Sequence, residues 1–176
     1  MIESLAAVEA VQETTGEVKD VKESVQEKQT DMKKSPITHL ETRNQSLEGG
    51  IHPITGVPFE YKQIELPSGE NIEGVFPEFE TKFEAKLDES QYLESDARHF
   101  KEVNSQLKEA VESDQLMGDT FSEEQLQLIM ADETPEGYVW HHSEVPGELH
   151  LVEKTIHDLT GHTGGRFLWG GGSDFR

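Results

Sequence analysis

GYVWHHSEVPGELHLVEKTIHDLTGHTGG, residues 137–165, contains His141, His142, His150, His157 and His162, five of the eight histidines of the chain. Its reading decides the fold of the C-terminal part. Tyr138 to His142 has the aromatic and β-branched content of a strand, and Pro146-Gly147 supplies a turn. Leu149 to Val152 alternates as a second strand, and Thr155 to Thr160 reads as a short helix closed by Gly161. The order strand, strand, helix predicts a hairpin with a helix laid across it. Such a unit would bring His141-His142 together with His157 and His162, which gives three candidate metal ligands and one histidine to spare. Imidazole suits both tasks, because its ordinary pKa of about 6.5 leaves a neutral nitrogen for a metal or for a proton.

Two geometric conditions follow. His157 and His162 are five residues apart, roughly 140° around a regular helix, so they can share an ion only if the helix ends between them. Gly161 is the expected terminator. Adjacent strand residues point to opposite faces, so His141 and His142 can serve one site only at a strand end, a bulge or an edge. His150 is expected on a strand surface, and Trp140 in the core, where it holds the ligand strand in place.

Working upstream, Ser122 followed three residues later by Gln125 forms a capping box, and Leu126, Ile129 and Met130 give the helix behind it an apolar stripe. Ser95-Asp96 caps a second helix in which Phe100, Val103, Leu107 and Val111 recur at helical spacing, the pattern of a helix covering a sheet. His99 on this helix is expected at the surface or in packing. HPITGVPFEYKQIELPSGENIEGVFPEF is rich in Gly, Pro, β-branched and aromatic residues, with Pro67 to Glu70 as a hairpin loop between two strands and FEAKL as a third. His52 beside Pro53 reads as a turn residue. From Met1 to Lys34, Val11, Val18, Val25 and Met32 mark a thin heptad seam interrupted by Thr14 and Lys28. The expected division is a helical appendage over 1–34, a linker over 35–50 after Ser35-Pro36, and one domain over 51–176. Within that domain, 51–133 forms a β-rich and helical support region and 134–170 the histidine-bearing core. The fold class is α+β.

Fifteen basic against thirty-six acidic residues give a net charge of -21, which opposes binding to a polyanion. Most of that excess lies before Pro135. With no cysteine, a metal site must use nitrogen and oxygen ligands. No run of apolar residues reaches the length of a membrane span, and the N-terminus has no apolar core of an export signal.

Trp140-His141-His142, Gly147, Leu149 to Val152, His157 and His162-Thr163-Gly164-Gly165 resemble the HNH/endonuclease VII superfamily, in its Trp-His-His (WHH) group. HPITGVPF and the run from GVFPEFE to FSEEQLQLI are similar to the region preceding this core in bacterial polymorphic toxins. The resemblance covers about residues 50 to 170. It implies a ββα-metal (His-Me finger) core holding one divalent ion, with Zn, Ni or Mn suiting imidazoles better than Mg, and cleavage of DNA or RNA. Carried over by position, His141, His157 and His162 are the metal ligands and His142 the general base. Arg166 is a candidate guanidinium fork for a phosphate. The middle asparagine of the HNH pattern is missing here. The resemblance further implies a toxin with a cognate immunity protein, secreted without a cleavable signal peptide and acting in the target-cell cytoplasm. Two rival readings accompany it: a non-catalytic histidine-metal module for partner binding, with four protein ligands around a closed ion, and a metal-independent ribonuclease.

Overall fold

The hairpin loop of residues 67–70 shows how local sequence builds this fold. Gly69 takes φ 79°, a left-handed conformation natural to glycine, and its amide donates to the Leu66 carbonyl at 2.8 Å. The chain thereby reverses between β3 (Pro58–Glu65) and β4 (Asn71–Pro77), with Glu65 opposite Asn71. The computed structural model describes residues 36–113 and 120–175. The helical appendage expected over 1–34 lies outside the described residues.

In chain order, β1 (Ile37–His39) and β2 (Gly50–Ile51) flank this hairpin in a sheet ordered β1-β4-β3-β2. β1 runs parallel to β4 and the other pairs are antiparallel. β5 (Thr81–Lys86), β6 (Tyr138–His142) and β7 (Glu148–Glu153) form a second, antiparallel sheet ordered β5-β7-β6. Between β5 and β6 lie α1 (Asp96–Glu112) and α2 (Glu123–Met130); α3 (Lys154–Leu159) follows β7 directly, and α4 (Gly165–Leu168) comes next. The expected α+β class holds. Both anticipated caps are present: Ser95 Oγ accepts from Arg98 N, and Ser122 and Gln125 close a capping box. Met130, expected in the buried stripe of α2, is exposed, while Ile129 is fully buried.

Of the linker expected over 35–50, the described residues 36–50 are built into the fold. They carry β1, and Thr42 Oγ1 donates to the Val75 carbonyl at 2.7 Å while accepting from Val75 N at 3.3 Å. Gly49 N donates to the Phe59 carbonyl at 2.9 Å. The described residues 36–113 and 120–175 accordingly all belong to one compact unit. Strands of two or three residues are too short to show a period of two, which is why Ser-Pro and Gly-Gly read as spacers rather than as strand ends.

Among the described residues, three apolar clusters hold the unit together. The largest lies between the second sheet and α1 and α2, where Ala85, Val103, Leu107, Ile129, Trp140, Leu149 and Leu151 meet. Trp140 is in that core, as its position in the sequence implies, and its Nε1–H donates to Asn104 Oδ1 on α1 at 2.8 Å. The two smaller clusters sit on the first sheet, one around Val57, Phe59 and Val75 and one around Ile64, Ile72 and Phe76. Ile156 of α3 packs on the former, which ties the C-terminal unit to the first sheet.

Candidate metal centre and catalytic cleft

Strand alternation sorts the histidines of β6. Trp140 and His142 share the face turned to α1, whereas His141 lies on the opposite face. Across the ladder His141 pairs with His150 and His142 with Leu149. On its own face His141 meets the two histidines from the end of α3. The ring centroids of His141 and His162 are 4.7 Å apart, those of His157 and His162 4.9 Å, and those of His141 and His157 5.4 Å. One ligand atom from each of the three lies within 4.8 Å of the others, a spacing that can hold a metal ion.

The required helix end is present, but its cause differs from the one expected. α3 stops at Leu159, and Thr160 at φ -97° and ψ 94° is extended. Gly161 does not take a left-handed conformation. A β-carbon there would meet the movable end of the Arg43 side chain, and the Gly161 carbonyl accepts a hydrogen bond from Asn44 Nδ2. Thr160 Oγ1 is itself within hydrogen-bond distance of Thr55 Oγ1, at 2.7 Å, so the chain leaves the helix against the turn between β2 and β3.

The surroundings of the three rings favour the neutral form, the one able to ligate a metal. Burial pushes His141 well below the ordinary imidazole pKa, and the neighbouring His162 and His157 add to this. Burial, then His162, lowers His157; burial also lowers His162, with Arg43 contributing. His162 Nδ1 lies 2.7 Å from the Thr160 carbonyl, which can only accept. Nδ1 therefore carries the proton and Nε2 the lone pair. His157 Nδ1 is buried without a hydrogen bond of normal length, and Asp158 Oδ1 stands 3.6 Å from it. Phe79, in the turn between β4 and β5, packs against all three rings, at centroid distances of 4.9, 5.5 and 5.3 Å. The residues present thus fit one divalent cation. His150, whose ring centroid is 6.2 Å from that of His141, is half-buried, stands outside the trio and has Glu148 at 3.8 Å from its Nε2.

His142 belongs to a different group. Its Nε2 is 3.0 Å from His99 Nδ1 and 3.8 Å from Asp96 Oδ1, both on α1. His99, expected at the surface or in packing, is 1% exposed, and its second nitrogen, Nε2, lies 2.7 Å from the Gln91 carbonyl. Arg166 is buried as well. Its guanidinium meets Asp96 Oδ1 at 3.0 Å, the carbonyls of Glu94 at 2.9 Å and Tyr92 at 3.4 Å, and the Phe175 carbonyl. Arg166 lines the cleft, yet these internal contacts engage the fork that was expected for a phosphate. Asp96, His99 and His142 also have metal-like spacing. A guanidinium already in contact with Asp96 and 3.5 Å from His99 Nδ1 places a positive charge where a cation would sit, and makes this second group unsuitable for one.

The two groups meet at one opening. His141, His142, His157, His162, Gly164 and Arg166 all line a cleft of about 650 Å³. A larger cavity of about 710 Å³ lies beside it, lined by residues that include Phe79, Lys82 and Glu153. The former brings the trio and His142 to one lining. Sequence reading missed His99, Asp96 and Phe79; only His99 left a signal, since it stands four residues before Val103 on the buried stripe of α1.

Residues 68–164, more than half of the chain, match the family described as the DNase/tRNase domain of colicin-like bacteriocin. The matched stretch contains His99, His141, His142, His157 and His162 and stops short of Arg166. No curated protein and no solved structure matches. Among the described residues, no helix is long and apolar enough to cross a membrane.

Proposed function

Because the chain belongs to the family of the DNase/tRNase domain of colicin-like bacteriocin, a family of nuclease toxin domains, we propose that it is a metal-dependent endonuclease of HNH/endonuclease VII type whose β6-β7-α3 unit is a ββα-metal core. The observation that carries this reading is the division of labour in the cleft. Three neutral histidines converge, and a fourth lines the same opening while bonded to other partners. Three protein ligands leave coordination positions open, as catalytic sites require. The closed four-ligand module is disfavoured, because His142 does not join the trio.

In this reading His141, His157 and His162 hold the ion and His142 takes the proton from the attacking water, help worth roughly 10²–10⁴-fold. The bound ion would supply Lewis acidity to a phosphate oxygen of the substrate. An all-imidazole set favours a transition ion such as Zn²⁺, Ni²⁺ or Mn²⁺ over Mg²⁺. Arg43, exposed and packed over Gly161 near His162, is a better placed phosphate contact than Arg166. An immunity protein covering the cleft, and release to act on target cells, belong to the same proposal and rest on the family.

The test is incubation of the purified protein with plasmid DNA and with total RNA, with and without chelator. Cleavage abolished by chelation and restored by Zn²⁺, Ni²⁺ or Mn²⁺ is the expected result. Cleavage of RNA alone in exhaustively stripped protein would replace this reading with the metal-independent ribonuclease, in which His142 takes a proton from a 2′-hydroxyl.

A further inference from the structure

The hydrogen bonds around His99 run in one direction. The Gln91 carbonyl, 2.7 Å from His99 Nε2, can only accept, so Nε2 carries a proton. The Arg166 guanidinium, whose Nη1 is 3.5 Å from His99 Nδ1, can only donate, so Nδ1 carries the lone pair. Burial, reinforced by Arg166, lowers the His99 pKa, which keeps the ring neutral. A neutral His99 with its lone pair on Nδ1 can receive a proton donor from His142 Nε2, 3.0 Å away, and cannot offer one.

We propose that His99 is a positioning residue that fixes the tautomer of His142, holding its proton on Nε2 so that the lone pair sits on Nδ1. A histidine left to itself divides its proton between its nitrogens, and only one arrangement presents a base at a given atom. The orientation of the ring is set at the same time. Phe100, at a centroid distance of 5.7 Å, and Trp169, also at 5.7 Å, pack against it. Asp96, with its Oδ1 3.8 Å from His142 Nε2, adds a carboxylate on the side from which the ring donates. Arg166 thereby acts through His99 and Asp96, a role that explains why a buried arginine stands beside the cleft.

The kinetic part of this inference rests on the reading of His142 as the base; the proton placement does not. The experiment uses the full chain with histidine ring nitrogens labelled with nitrogen-15, loaded with Zn²⁺, and three proteins: wild type, His99→Phe and His99→Asn. Long-range nitrogen–proton spectra, at a pH where the ring of His142 is neutral, report which nitrogen carries its proton. The wild type should show Nε2 protonated in both His99 and His142. His99→Phe removes the acceptor, so the His142 proton should redistribute. Turnover on plasmid DNA or total RNA, whichever the wild type cleaves, should then fall by at least about 10-fold, with KM and zinc stoichiometry unchanged; the ceiling is the loss caused by removing the base itself, roughly 10²–10⁴-fold. In His99→Asn the Oδ1 can occupy the place of Nδ1 and should restore both the tautomer and most of the turnover. A wild-type spectrum with the His142 proton on Nδ1 overturns the proposal whether or not either variant folds. So does a redistributed proton with unchanged turnover. A wild type that cleaves nothing refutes the nuclease reading instead, and its spectrum still decides the tautomer.

Discussion

The two faces of β6 carry adjacent histidines in unlike surroundings. His141 looks onto two further imidazoles and a phenyl ring, in a pocket where burial and mutual repulsion keep the imidazoles neutral. His142 looks onto a histidine, an aspartate and an arginine, all linked by directional hydrogen bonds and an ion pair. The first environment offers lone pairs converging on a point, which is what a cation needs. On the proposed reading the second fixes a proton and adds a nearby carboxylate, which is what a base needs. Residue type is identical at the two positions, so the difference in chemistry comes from partners alone. The period of two in a strand delivers those partners.

The comparison breaks most decisively at its centre. His141→Ala should lose metal affinity and with it activity, as chelation should, because a ligand is gone. His142→Ala should keep its metal and lose on the order of 10²–10⁴-fold in turnover. Isothermal titration of Zn²⁺ into both variants, with turnover measured at saturating metal, separates the two. If the His142 variant fails to bind metal while the His141 variant binds normally, the faces have been assigned the wrong way round.

A second test acts on the His142 face without touching a histidine. A β-carbon at Gly165 would overlap the Ser143 carbonyl oxygen and the indole of Trp169, whose Nε1–H donates to that carbonyl at 2.8 Å. Backbone cannot swing aside as a long side chain can. Gly165→Ala should therefore destabilise the fold by at least the roughly 1–3 kcal/mol typical of overpacking, and should displace Trp169 from His142 and His99. Chemical denaturation measures the first effect. Tryptophan fluorescence measures the second, and an unchanged spectrum at wild-type stability would show that α4 does not need its close seat on the end of β6.

Much of this arrangement is legible in residues 137–165. The strand, turn, strand and helix fall where aromatic, β-branched and Pro-Gly signals put them, because each is a local property. The trio is legible too, since hairpin and helix are contiguous in sequence. What escapes is contact made by packing. His99 lies 43 residues before His142 and reaches it only because α1 covers the second sheet. Phe79 sits in a turn with no pattern of its own. The segment 35–50 forms strands too short to show a period. The end of α3 is a related case: the sequence suggests a terminating glycine, but the helix is ended one residue earlier by Thr160, which meets Thr55 of the turn between β2 and β3.

Acid should act mainly through the His141 face. His141, His157 and His162 have folded pKa values below the ordinary value of about 6.5 that the unfolded chain would show. Below that pH the unfolded state binds more protons than the folded state, so stability falls. The contribution is fully present above about pH 6.5 and is lost progressively as pH drops toward the folded values. His99 titrates in the same direction on the other face. Thermal melts of metal-stripped protein from neutral to mildly acidic pH should show Tm falling, and His99→Asn should remove only a minor part of the slope. A Tm that rises on acidification would mean that the trio is charged in the folded state, a condition incompatible with its proposed role.

The smallest effect is expected at Gly161, next to the metal face. If Gly161 were needed for a left-handed turn, alanine would cost roughly 1 kcal/mol and would swing His162 away from His157. Its backbone is not left-handed, and the helix has already ended at Leu159. The obstacle to a β-carbon is the end of the Arg43 side chain, which is exposed and can move. Gly161→Ala should therefore leave metal affinity within about twofold of wild type, a difference of roughly 0.4 kcal/mol, and shift Tm only slightly. Turnover is the more sensitive readout, because the displaced guanidinium is the one placed to meet a phosphate. A modest rise in KM with unchanged zinc affinity would assign Arg43 to the substrate. A large loss of zinc affinity would show instead that Arg43 and Gly161 together fix His162, and that the metal face depends on the first sheet more than its own three imidazoles suggest.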